Sequence, residues 1–130
     1  MSNVLAMIKS FPATSDINPD LLAAAIEQAL ACSQTCTACA DACLGDGMLD
    51  CIRVDNDCAD TCATTARVLS RQSGHNTAVI RAQLEVCIAA CRSCGDECER
   101  HADMHEHCRI CAEVCRACES ACRELLASMS

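Results

Sequence analysis

Cysteine supplies 16 of the 130 residues, and its spacing matters more than its number. The pattern C-x3-C-x2-C-x3-C occurs at Cys32, Cys36, Cys39 and Cys43, at Cys87, Cys91, Cys94 and Cys98, and at Cys111, Cys115, Cys118 and Cys122. A fourth copy has aspartate in its second slot: Cys51, Asp55, Cys58, Cys62. Cys108 lies one step ahead of the last copy. Steps of four, three and four average close to a helical turn, so each copy sets its thiols on one helical face. Thiols four apart on a helix project side by side, and both thiolates of such a pair reach one ion between them.

Soft thiolates in this number select Cu(I), Zn(II) or an iron–sulfur cluster. Cu(I) accepts two or three sulfurs and lets a thiolate bridge two ions, which suits a continuous column of pairs. Zinc prefers closed sites of four ligands and gives no reason to continue the column through successive turns, so a zinc-binding bundle stands as the alternative. The ferredoxin run C-x2-C-x2-C-x3-C-P differs in its first interval and in its proline. A thiol-redox bundle is the other alternative. It needs an accessible cysteine beside a positive charge, and Arg92, Arg109 and Arg116, though adjacent to cysteines in sequence, face other directions on a helix. Disulfides between neighbours on one helical face would be strained.

Other ligand types gather near two predicted turns. Met48, His101, Met104, His105 and His107 lie there, and His101 and His105 follow Cys98 at three and seven residues. Thioether and imidazole hold Cu(I) more weakly than thiolate does, as an uptake port requires; the competing reading is a solvated, histidine-bearing hairpin. Asp55 in a thiol column accepts hydrogen bonds, ligates metal or tilts to solvent, because an unpaired buried charge is costly. His75, in a turn at the other end, reads as surface.

The elements that position these residues are helices. Asn18-Pro19 before Asp20 is a helix start, with Asn as N-cap and Pro in the first turn. The first long helix is predicted from Pro19 to Cys43 or Leu44, broken by Gly45-Asp46-Gly47. The second runs from about Met48 to Arg71, ended by Ser73-Gly74 with Gly74 as cap and Asn76 capping the third, which reaches about His101. Asp103 with Glu106 reads as a capping box, placing a hairpin at Ala102-Asp103 and the fourth helix at Met104 to Ala127. One unbroken helix from Thr77 onward would be roughly 75 Å long, too long for a domain of this size to bury. Residues 1–17 form a separate segment with a short helix from Ser2 to Ser10, ended by Phe11-Pro12, and residues 18–130 form the metal-binding domain.

Short connections make neighbouring helices antiparallel, so the expected fold is all-α: an up-down-up-down four-helix bundle with a thiol-lined core. Thiols fill one half, and Leu22, Ile26, Leu30, Val68, Leu69, Val79, Ile80, Leu84, Leu125 and Leu126 are expected inside the other. Composition agrees, since 52 % of residues are apolar while aromatics make up 1 %, leaving a core of small side chains. A net charge of −8 with no basic stripe argues against nucleic acid. The absence of a long apolar run argues against a membrane span. The first residues show no secretory pattern, so a cytoplasmic location is expected, where reducing conditions turn cysteine toward metal chemistry.

The repeated cysteine motif on successive helices, over roughly Asn18 to Ala127, resembles the cytosolic copper storage proteins of bacteria. That resemblance implies a non-enzymatic store holding many Cu(I) ions inside a four-helix bundle, and assembly as a homo-tetramer.

Overall fold

The computed structural model describes residues 2–13, 15–74 and 76–129. His75, read as surface, lies outside the described residues. The described chain is all-α, with no strand among its residues: α1 (Val4–Lys9), α2 (Pro19–Asp46), α3 (Leu49–Ser70), α4 (Thr77–Glu99) and α5 (Glu106–Ser128). Each long helix packs against two of the others, α2 on α3 and α5, α4 on α3 and α5, while the short α1 rests on α2.

Local chemistry explains most boundaries. Asn18 Oδ1 accepts from the backbone N–H groups of Asp20 at 2.9 Å and Leu21 at 3.1 Å, satisfying donors that the first turn of α2 leaves open. The far end of α2 departs from the expected stop. Gly45 stays helical, and the break falls at Gly47, which takes the left-handed conformation at φ 70°. The N–H of Met48 then returns to the Cys43 carbonyl at 3.2 Å, the closing bond of a Schellman loop. Only one residue needs positive φ, so α2 continues two or three residues past the predicted end and brings Asp46 into its last turn.

Three caps differ from expectation. Gly74 does not end α3; the helix stops at Ser70, and the buried Gln72 donates from Nε2 to the Leu69 carbonyl at 2.8 Å. Asn76 precedes α4 without a side-chain cap bond. The Asp103–Glu106 capping box is also not formed. Residues 101–105 close on backbone bonds, including His105 N–H to the His101 carbonyl at 3.0 Å, and α5 begins at Glu106 with His105 as its N-cap. Met104 therefore lies in the turn rather than on the helix.

The core has two unlike halves. Leu22, Leu69, Leu84 and Leu125 are buried at one end, with Ile26 and Ile80 beside them. Burying each large aliphatic side chain contributes about 1.5–3 kcal/mol. Val68 and Leu126 are half-buried, whereas Leu30 and Val79 are exposed rather than internal. Ala25 and Ala29 occupy the inward face of α2 there, and a leucine one residue on is turned by about 100° away from it. The other half of the core is sulfur.

Candidate metal centre

All sixteen cysteines are buried and free of disulfide bonds. Starting at the leucine end, the Cys122 thiol donates to Cys87 at 3.9 Å, and Cys87 lies 3.9 Å from Cys62. Cys62 stands 3.7 Å from Cys91 and 3.8 Å from Cys58. The path continues through Cys32, at 3.8 Å from Cys58 and 3.7 Å from Cys36. Cys36 in turn meets Cys111 and Cys115 at 3.7 Å and Cys94 at 3.8 Å. These separations are well beyond an S–S bond of about 2.0 Å, and they leave room for an ion between sulfurs.

Ligand atoms fall into groups mutually within 4.8 Å, and the groups share members. Cys32 belongs both with Cys62, Cys91 and Cys118 and with Cys36, Cys58 and Cys115; Cys36 and Cys115 belong also with Cys94 and Cys111. Two further groups join Cys39 with Cys43, His107 and Cys108, and Cys39 with Asp55, Cys98 and Cys111.

Asp55 stands inside, where the thiol columns meet the outer cysteines. Its Oδ1 accepts from Cys94 at 2.9 Å, Cys111 at 3.3 Å and Cys98 at 3.6 Å, and its Oδ2 from Cys43 at 4.0 Å. Burial raises its carboxyl from 3.8 to about 7, against the pull of the Cys94 thiol, so the acid keeps its proton below neutral pH and shares it between the two forms near pH 7. Burial likewise pushes the thiols of Cys43 and Cys108 up to about 12. Deeper in, hydrogen bonding with Cys111 raises Cys36 and Cys94, and hydrogen bonding with Cys118 raises Cys62 and Cys91, burial adding to each. In the metal-free chain these thiols hold their protons, and a bound cation must displace them.

Histidines and methionines divide sharply. His107 joins the sulfur: its Nδ1 lies 3.3 Å from Cys39 Sγ and 3.6 Å from Cys108 Sγ, while its Nε2 lies 2.9 Å from Asp46 Oδ2. A groove of about 370 Å³ between α2 and α5, lined by Gln34, Thr35, Ala38, Ala42 and Ile110, reaches Cys39 and His107 from outside. His105 stands one carboxylate away, its Nδ1 3.3 Å from the same Asp46 oxygen. His101 pairs with Glu97 at 2.9 Å, and that glutamate oxygen accepts from the Cys51 thiol at 3.9 Å. Met48 is partly buried against the core, and Met104 is 77 % exposed.

Two residues of this region were not among the sequence candidates. Glu97 carries a visible signal, four residues before His101 on the same helical face. Asp46 carried none, since Gly45-Asp46-Gly47 reads as a breaker until Gly47 alone is seen to turn.

A closed helical fold enclosing a continuous, reduced thiol lattice defines a protein class: a proteinaceous cage for soft metal ions. Residues 18–127 match the copper storage protein family model, and the chain belongs to that family. It is 52 % identical to the copper storage protein Ccsp of Streptomyces lividans loaded with 10 copper equivalents, with a TM-score of 0.93 over 96 % of this chain and 98 % of that one. A cytosolic copper storage protein from Streptomyces lividans carrying five coppers is 57 % identical, with a TM-score of 0.81 over 83 % of this chain and 93 % of that one. The uncharacterized cysteine-rich protein YhjQ of Bacillus subtilis strain 168 is 32 % identical over 93 residues, 68 % of this chain and 81 % of that one.

Proposed function

We propose that the chain stores many Cu(I) ions in the cytosol as thiolate-bridged sites inside an antiparallel, up-down-up-down four-helix bundle. The observation that carries this reading is the sharing of sulfurs. Cys32, Cys36 and Cys115 each belong to two adjoining ligand groups, which a set of separate four-sulfur sites would not need and which bridged Cu(I) does. The antiparallel course is supported by descending partners across α3 and α4: Cys62 with Cys87, Cys58 with Cys91, Asp55 with Cys94 and Cys51 with Glu97. The same trend relates α2 to α5, where Cys32 meets Cys115, Cys36 meets Cys111 and Cys39 meets His107. A cytosolic site of action rests on the cytosolic Streptomyces lividans relative, and the homo-tetramer on the family resemblance.

Uptake begins at the α2–α5 groove, which Cys39 and His107 line. Cys39 and His107 Nδ1 take the ion there together with the buried Cys108 beside them, Asp55 lies on the way inward, and the inner thiols bridge ions toward the leucine end. Each thiol that binds becomes a thiolate and releases its proton, so the sulfurs supply the charge that balances Cu(I). His101, His105, Met48 and Met104 form the outer, weaker surroundings of this port. With each thiolate bridging two ions and each ion held by two thiolates, capacity approaches about one Cu(I) per cysteine. Residues 1–17 form a segment outside this storage domain, with α1 resting on α2.

Anaerobic Cu(I) titration of the reduced protein against a chromophoric chelator tests the reading. Uptake well above two ions per chain is expected, and saturation at one or two would sink it. The same titration with Zn(II) separates copper storage from a zinc-binding bundle.

A further inference from the structure

Among the described residues, Asp46 is the carboxylate that stands beside two imidazoles at the thiol-rich end, those of His105 and His107. Its Oδ2 lies 2.9 Å from His107 Nε2 and 3.3 Å from His105 Nδ1, and the two rings stand 5.5 Å apart. The opposite nitrogen of His107, Nδ1, faces Cys39 and Cys108. We infer that Asp46 is a positioning residue for copper uptake: it fixes the His107 proton on Nε2 and so presents the Nδ1 lone pair to the Cys39–Cys108 thiols. The inference rests on the reading of His107 as a Cu(I) ligand.

The chemistry follows from what each group has to offer. An ionised carboxylate only accepts, so the Nε2 that bonds to it must be the nitrogen bearing hydrogen. A neutral imidazole has one such hydrogen, and Nδ1 is left with its lone pair toward sulfur. A carboxylate behind a histidine also raises the basicity of the ligating nitrogen and holds the ring plane, as at other metal sites.

The position of Asp46 argues against a role in helix stability. It lies in the last turn of α2, where backbone carbonyls already concentrate negative charge and a cation would be the favourable residue. What places it is Gly47: by turning left-handed one residue later, the chain keeps Asp46 helical, and the bond from Met48 N–H to the Cys43 carbonyl ties that turn to a cysteine of the port. The Asp46 side chain is one-third exposed and that of His107 about one-quarter, so the pair is only partly shielded from competing water.

The test is a long-range proton–nitrogen NMR spectrum of 15N-histidine-labelled, reduced, metal-free protein at mildly alkaline pH, followed by Cu(I) addition in competition with a chelator. In the unaltered chain His107 is expected as the Nε2–H form alone, with its Nδ1 resonance moving on Cu(I) binding. Asp46→Ala should give a mixture of tautomers and weaken the His107 site about 10–100-fold. Asp46→Asn retains an accepting oxygen, so it should keep the tautomer and lose less affinity. A proton on Nδ1 in the unaltered chain, or an Asp46→Ala protein with unchanged tautomer and affinity, overturns the inference. Lowered thermal stability without a tautomer change would mark Asp46 as a structural tie and also overturn it. If Nδ1 stays still on Cu(I) addition, it is His107 as ligand that fails, and the metal-free tautomer reports on Asp46 separately.

Discussion

Asp55 should make the metal-free protein less stable as pH rises through the neutral range, and Asp55→Asn should abolish that dependence. The carboxyl is fully buried and its folded value is raised from 3.8 to about 7, with burial the main cause. That displacement corresponds to about 4 kcal/mol against the ionised form. Below about pH 4 the group is protonated in both folded and unfolded chains and costs nothing. Between about 4 and 7 the unfolded chain releases its proton while the folded chain keeps it, so stability falls as pH rises; above about 7 the full cost is present. Asparagine accepts the Cys94 hydrogen bond through its carbonyl and has nothing to ionise. The stability of Asp55→Asn minus that of the unaltered protein should therefore grow from pH 4.5 to pH 8 by about 3 kcal/mol. Urea unfolding of the reduced protein under argon, followed by circular dichroism, reads this difference, and other titrating groups cancel in it. A difference constant within about 0.5 kcal/mol across that range, or one that shrinks with pH, would refute the account of Asp55 as a buried acid whose ionisation burial opposes.

Because burial pushes the thiols of Cys43 and Cys108 up to about 12, Cu(I) binding at these two cysteines at neutral pH should release about one proton per thiol engaged, measurable with a pH indicator in weak buffer. The same raised values mean that the metal-free fold should lose stability as pH climbs from about 9 toward 12, where unfolded thiols ionise and the folded ones do not, seen as a falling melting temperature. Leu84→Ala, at a fully buried position in the leucine half, should cost about 2–5 kcal/mol in unfolding while leaving copper capacity unchanged. Gly47→Ala should destabilise by about 1–2 kcal/mol through its left-handed backbone, although a Cβ there meets no other atom.

The helical thiol columns were legible because a 4-3-4 spacing has one geometric meaning, and the inward face it implies survives folding at every cysteine. Cap chemistry was less legible, because several local signals compete for one boundary. Gly45 and Gly47 are equivalent in propensity, and only the bond from Met48 to Cys43 selects the second. Gln72 ends α3 by a side-chain bond that no motif announces. Asp103 and Glu106 had the spacing of a capping box, yet backbone bonds closed that turn first. Leu30 and Val79 were assigned to the interior by their apolar character, but adjacent residues on a helix diverge by about 100°, and Ala29 and Ile80 hold the inward positions. At the port, the sequence placed five His and Met candidates in one neighbourhood; it did not distinguish His107, against sulfur, from Met104, in solvent. That distinction depends on where α5 starts, two residues later than its pattern suggested.

The leucine half has a bearing on time as well as on stability. With Leu22, Leu69, Leu84 and Leu125 buried at one end, a thiol lattice filled through the proposed port would behave as a stack, the ion bound last sitting nearest the port and departing first. On that filling, ions held between Cys62, Cys87 and Cys122 would leave only after those outside them. The chain would then have two turnover times, a prompt supply near Cys39 and Cys108 and a slow reserve against the leucines.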